Sequence, residues 1–267
     1  MEKISVIIPT IKGREELLHR LLVSVPQGHE IIVVPDEDLS LAQKRNIGAL
    51  QATTEYLLFI DDDNQLQSFA IEQALKCGSD IIGLMALYDN DPLFIADGGS
   101  KRFYVSGFMN GINTNEPWMD IDREPYEVDE VANAFMMHRS LFFELGGLDE
   151  KNFPTELDEA DFCIRAKRKG YRVMMCPRAV VFHRSITYSA IPDFRRPKNA
   201  YFMGRNRVLF QKKHLNKFKF FVYLVAFFPI FIVAYCLALL YKRKPKMIHH
   251  FLKGVLHGIT NRISNTY

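Results

Sequence analysis

After its first three residues the chain runs "ISVIIP", a short β-branched apolar stretch halted by Pro9, which predicts a buried strand. In "EELLHRLLVSV" the leucines Leu17, Leu18, Leu21 and Leu22 fall on one face of a helix. "EIIVVP" is a second strand stopped by Pro35, "LAQKRNIGALQAT" a second helix and "EYLLFI" a third strand. "FAIEQALKCG" reads as a helix with a glycine stop, and "DIIGLMALY" as the next strand. Residues 90–130 lose this periodicity and are rich in Asp, Asn, Gly and Pro. A strand through Ala134 to Met137 then precedes a short helix that stops at Gly146 and Gly147. "DEADFCIRAKRKG" is helical, and "YRVMMCP" and "AVVFH" are strand material. Strands alternating with helices of about ten residues predict an α/β fold with a mostly parallel sheet.

The pattern changes near residue 195, where the soluble domain is expected to end. From Phe220 to Tyr241 the 22 residues carry no charge. As a helix they reach roughly 33 Å, enough to cross a bilayer core of about 30 Å. From Phe194 onward there are 15 Lys and Arg and no carboxylate, which leaves 19 basic against 31 acidic residues before it, a net of −12. A chain divided this sharply has two jobs. The basic residues flank an apolar block instead of interleaving with aromatics, which argues for a membrane and against nucleic acid. Pro229 near the middle of the block, with lysines on both sides, favours a kinked hairpin or in-plane anchor over a single span. "MEKISVIIPT" lacks the length and flanks of a signal peptide. Cys77, Cys163, Cys176 and Cys236 show no metal-site spacing and suit a reducing compartment.

Two clusters carry candidate chemistry. "YLLFIDDDNQ" stacks Asp61, Asp62 and Asp63 at a strand exit, and in parallel sheets ligands bind at that edge. Asp61 and Asp63, two apart, offer hard oxygens to Mn²⁺ or Mg²⁺, with positions left for phosphates. A haloacid-dehalogenase-type phosphatase also uses Asp-x-Asp, but wants Thr or Val where Gln65 stands. In the second cluster, Asp158 reads as an N-cap with Asp161 at N3, leaving Glu159 free to project into a cleft.

"SVIIPT", "LAQKRNIGALQATTEYLLFIDDDN", "GGLDE", "DEADFCIRAKRKGYRV" and "PRAVVFH" follow in the order and spacing of family 2 glycosyltransferases, which the chain resembles over residues 4 to about 210. "RNRVLF" after the histidine resembles the rhamnosyltransferase-like branch. The resemblance implies a GT-A catalytic domain over residues 1–195, with a nucleotide-binding half to about 100 and an acceptor half over 101–195. Residues 196–267 would be membrane-associating helices. It implies that Thr10, and Asp36 or Asp38, hold the nucleoside, that Arg45 lies near base and phosphate, and that Asp61 and Asp63 hold the metal-diphosphate. His183 matches a position that touches metal or diphosphate. Glu159 falls at the base position, with Asp158 as the second choice.

The expected activity is metal-dependent inverting transfer of a sugar from a nucleoside-diphosphate sugar to an acceptor hydroxyl. A lipid-linked glycan at the cytoplasmic side of a membrane is the expected acceptor. The alternatives are a nucleotidyltransferase, which would open with a Gly-rich loop absent from "PTIKGREEL", or a catalytically silent membrane-bound sugar-binding protein.

Overall fold

The computed structural model describes residues 2–36, 38–184 and 197–261. The expected break near residue 195 lies outside them. The chain divides into two compact units. The first takes the chain up to Lys101, Asn110–Glu150 and the stretch from Asp158 through the last strand. The second takes Arg102–Met109, Lys151–Leu157 and the C-terminal helices.

The first unit opens with β1 (Ile4–Pro9), α1 (Glu15–Ser24), β2 (Glu30–Val34), α2 (Leu41–Gln51) and β3 (Tyr56–Ile60). It continues through β4 (Asn64–Leu66), α3 (Ala70–Lys76), β5 (Ile81–Tyr88), β6 (Asp91–Asp97) and β9 (Tyr126–Glu127). It closes with β10 (Ala134–His138), α4 (Arg139–Glu144), α5 (Asp158–Arg168) and β11 (Val173–His183). A separate two-stranded ribbon pairs β7 (Ser100–Phe103) with β8 (Phe108–Gly111).

The main sheet has the order β2-β1-β3-β10-β5-β11-β4, with β6 beside the outer half of β5. β1, β2 and β3 run parallel, as do β5 and β11, and β10 is antiparallel between β3 and β5. Period-2 alternation sends Ile7, Leu57, Phe59 and Phe135 to one face, and Val6, Ile8, Leu58 and Met136 to the other. Each face has its own core, with helices α2, α4 and α5 over the first and α1 and α3 over the second. Gly48 sets the approach of α2 to the sheet, since a Cβ there would lie 2.3 Å from Ile7 Cγ2. The capping box expected of a helix start appears on α2, where Ser40 and Gln43 bond each other's backbone N–H groups.

Two sequence readings differ from the structure. Residues 90–130 hold four strands: β6, of seven residues, pairs with an irregular register, and the other three are two to four residues long, so periodicity does not register. "YRVMMCP" and "AVVFH" join into one eleven-residue strand, with a register shift between Cys176 and Val180 that absorbs Pro177.

The second unit contains α6 (Pro197–His214), α7 (Lys217–Val222), a π-helical segment (Tyr223–Phe227), α8 (Phe228–Tyr241) and α9 (Lys246–Ile259). The helix from Lys217 to Tyr241 is continuous, and among the described residues it alone is long and apolar enough to cross a membrane. A hairpin centred on Pro229 is therefore absent; the chain reverses at Lys242–Pro245, where Arg243 adopts a left-handed conformation. The π segment explains the continuity. Pro229 lacks an N–H and would clash with a carbonyl four residues earlier in a regular α-helix. Phe228 N–H instead reaches back to Tyr223 C=O, widening the turn just before the proline.

Candidate active site

The carboxyl ends of β1, β2 and β3 lie side by side, bringing Thr10, Asp36 and Asp61 to one edge of the sheet. Asp36 Oδ1 accepts from Asp38 N–H at 2.8 Å, and both side chains are exposed. The three consecutive carboxylates then go three ways. Asp61 Oδ1 accepts from Arg45 Nη2 at 2.8 Å. Asp62 is buried, accepting the Thr10 hydroxyl at 2.6 Å and the Arg14 guanidinium. Asp63 accepts from Arg14 Nη2 at 3.2 Å and lies 3.6 Å from His183 Nε2. Each member of the run thus has a cation or donor of its own. Sheet register, not sequence proximity, delivers His183: it pairs with Asn64 across β11 and β4, and Arg184 N–H donates to Asp63 C=O.

Arg45 is the hub. Its guanidinium is fully buried on α2, 5.6 Å from the Phe135 ring centroid. Nη1 donates to Asp158 Oδ2 at 3.0 Å and to Glu159 Oε1 at 2.5 Å, opposite the bond to Asp61. The sequence separations are 113, 114 and 16 residues, so only the fold brings these groups together. The expected cap geometry at α5 is different too. Helix α5 begins at Asp158 itself, whose side chain turns to Arg45, while Asp161 Oδ2 accepts from Arg165 Nε one turn on.

One buried cation facing three carboxylates leaves excess negative charge, which burial makes costly. Proton affinities shift accordingly. Burial and the adjacent Glu159 hold Asp158 well above the usual carboxylate range. Burial pushes Glu159 upward most strongly, but the Arg45 guanidinium, a hydrogen bond with Asp158 and the Glu159 backbone N–H together leave it below its ordinary value. Asp61 is raised to about 6, burial prevailing over Arg45 with help from Asp63. Of the two, Asp158 therefore holds a proton more readily than Glu159.

Asp63 and His183 offer a carboxylate oxygen and an imidazole nitrogen close enough to share one ion, beside a site with surplus negative charge. With Asp61 drawn to Arg45, no three His, Cys, Asp or Glu among the described residues converge to enclose a metal. The residues fit a divalent ion held at two points and do not fit a closed structural cage.

Four residues of the site carried no sequence signal of their own. Arg14 bridges Asp62 and Asp63. Lys44 is buried with Nζ 2.5 Å from Thr10 C=O. Asp97, pushed upward by burial, accepts from Gly99 N–H at 2.8 Å and Asn133 Nδ2 at 3.1 Å. Asn133, left-handed at φ 62°, accepts Asp61 N–H on its carbonyl at 3.0 Å.

No family model matches the sequence, and no curated protein matches it. Solved structures do. GalNAc-T7 with UDP, GalNAc and Mn²⁺ superposes with a TM-score of 0.55 at 16% identity, covering 68% of this chain and 44% of that one. The catalytic domain of Drosophila β1,4-galactosyltransferase 7 with xylobiose gives 0.48 at 15% identity, over 73% and 76%. S. aureus TarS gives 0.45 at 14%, over 78% and 39%. This chain thus spans under half the length of the GalNAc-T7 chain it matches. At these identities the likeness is one of fold. The first unit has the GT-A fold expected from the sequence, a mostly parallel sheet flanked by helices.

Proposed function

We propose that this chain is an inverting, metal-dependent glycosyltransferase that moves a sugar from a nucleoside-diphosphate donor to an acceptor hydroxyl. The observation that carries this reading is the Arg45 hub, which ties the strand-exit Asp61 and the α5 residue Glu159 into one site. The fold shared with GalNAc-T7, whose structure holds UDP and Mn²⁺, supports it.

The reaction is a single displacement. The acceptor oxygen attacks the anomeric carbon, the bond to the diphosphate oxygen breaks, and the hydroxyl proton goes to a base. Glu159, ionised and held by Arg45, takes that proton at a carboxylate oxygen. Asp158, protonated beside it, keeps the proton balance of the pair without competing as base. Arg45 fixes the Glu159 carboxylate, and Asp36 or Asp38 at the exposed end of β2 meets the nucleoside. Thr10 serves that pocket from beneath, its hydroxyl spent on Asp62. A Mn²⁺ or Mg²⁺ ion bound by Asp63 and His183, with Asp61 adjacent, would supply positive charge for the leaving diphosphate. The apolar C-terminal helix supports an acceptor that is lipid-linked; in this reading the first unit works on the cytoplasmic side.

Glu159→Gln keeps shape and removes the proton acceptor. Turnover should fall by at least ~10²-fold while the donor nucleotide, found by thermal shift across UDP, GDP, dTDP and CDP with Mn²⁺, binds as in the wild type. Unchanged turnover in Glu159→Gln would refute the assignment.

A further inference from the structure

We propose that the C-terminal unit seats on one anionic leaflet, with the helix from Lys217 to Tyr241 lying in the plane of the interface instead of crossing it. The proposal deepens the membrane part of the reading above and is independent of sugar transfer. One side of this helix is an unbroken exposed apolar stripe through Phe218, Phe221, Val225, Ile230, Val233 and Leu237, with Val233 58% exposed. A stripe of this length is rare on a water-facing surface.

The opposite side excludes a crossing. Tyr223, Phe228, Tyr235 and Leu239 are buried within the unit. The Arg207 guanidinium of α6 stands 3.8 Å from the Phe231 ring centroid and donates to Gly107 C=O at 3.0 Å. Phe231 lies two residues past the midpoint of the helix. A perpendicular span would therefore carry Arg207, and the polar α6 with it, to the bilayer midplane, where a guanidinium is strongly disfavoured. Lying flat, the helix keeps α6 on the water side and offers only its apolar stripe to lipid.

The charges agree. Lys217 and Lys219 lie in its first turn, and Lys242, Arg243, Lys244 and Lys246 follow it. A span gathers its positive excess at one end, whereas an in-plane helix presents both ends to the same headgroups. Helix α9 adds a second amphipathic surface. Phe251, Gly254, Val255 and Gly258 are buried, the glycines against the backbone of α6, while Leu252, Leu256 and Ile259 are exposed.

The full chain is mixed with phosphatidylcholine vesicles with and without phosphatidylserine. Binding should require phosphatidylserine and weaken with salt, and the double variant Val233→Glu, Leu237→Glu should partition at least ~10-fold less. Both positions are exposed, so its circular dichroism should match the wild type. For sidedness, Lys217→Cys and Lys246→Cys are labelled with an impermeant maleimide in sealed right-side-out and inside-out vesicles of expressing cells, each site read by peptide mapping. Labelling of both from the same side is expected. Labelling from opposite sides, or undiminished partition of the folded double variant, would overturn the proposal. Donor turnover is measured in parallel; its absence alongside the expected binding would count against sugar transfer only.

Discussion

The run Asp61, Asp62, Asp63 separates into roles that neighbouring identical side chains conceal. Asp62 is 1% exposed and holds the Thr10 hydroxyl and Arg14, whereas Asp63 faces His183. Asp62→Asn should therefore lower stability by about 2 kcal/mol in chemical denaturation, because the Thr10 hydroxyl loses its charged acceptor and Arg14 keeps only Asp63. Asp63→Asn should leave stability within about 0.5 kcal/mol and weaken Mn²⁺-dependent donor binding. Arg45 permits a sharper test through pH. Glu159, held below its ordinary 4.5, stabilises the fold above that pH and loses the contribution as pH falls through its folded value. Asp158, raised above 3.8, has the opposite sign: its contribution is full below 3.8 and lost as pH rises through its folded value. In Arg45→Met all three carboxylates lose their cation and bind protons more tightly when folded than unfolded. The variant should melt well below wild type at pH 7, a deficit of about 3–5 kcal/mol, and the gap should narrow at pH 5. A gap that widens on acidification would contradict this charge arrangement.

Among the elements, those that bury a regular face were legible in the sequence. β1, β2, β3, α1 and α2 appear where apolar period and Pro or Gly stops put them, since burial and backbone geometry act locally there. β4 was missed: three residues long, it exists because it pairs with β11, a partner more than a hundred residues away. The same distinction divides the site. Asp61 and Glu159 stood out as carboxylates at element ends, but Arg14, Lys44 and Asp97 matter through who faces them in three dimensions. Packing of α2 on β1 rests on one local choice, Gly48. Gly48→Val should force Ile7 aside and destabilise the chain by about 1–3 kcal/mol in urea unfolding, with some loss of turnover because α2 carries Arg45.

Over the whole molecule, charge is partitioned as strictly as structure. Residues up to Asp193 carry −12 and the remainder carry the basic excess, so a leaflet that attracts one end of the chain repels the other. The π segment at Tyr223–Phe227 bears on this as a matter of phase. An α-helix advances about 100° per residue, and a π turn absorbs one extra residue without advancing further. That slip brings Phe218 and Phe221, before it, into line with Ile230, Val233 and Leu237 after it. Deleting Ala226 removes that extra residue and leaves the two halves of the stripe in line, but it sets the Pro229 ring against a carbonyl four residues back. The shortened chain should still hold vesicles through one continuous stripe and should melt at a lower temperature than the wild type, because the same lipid wets both halves while the proline clash returns.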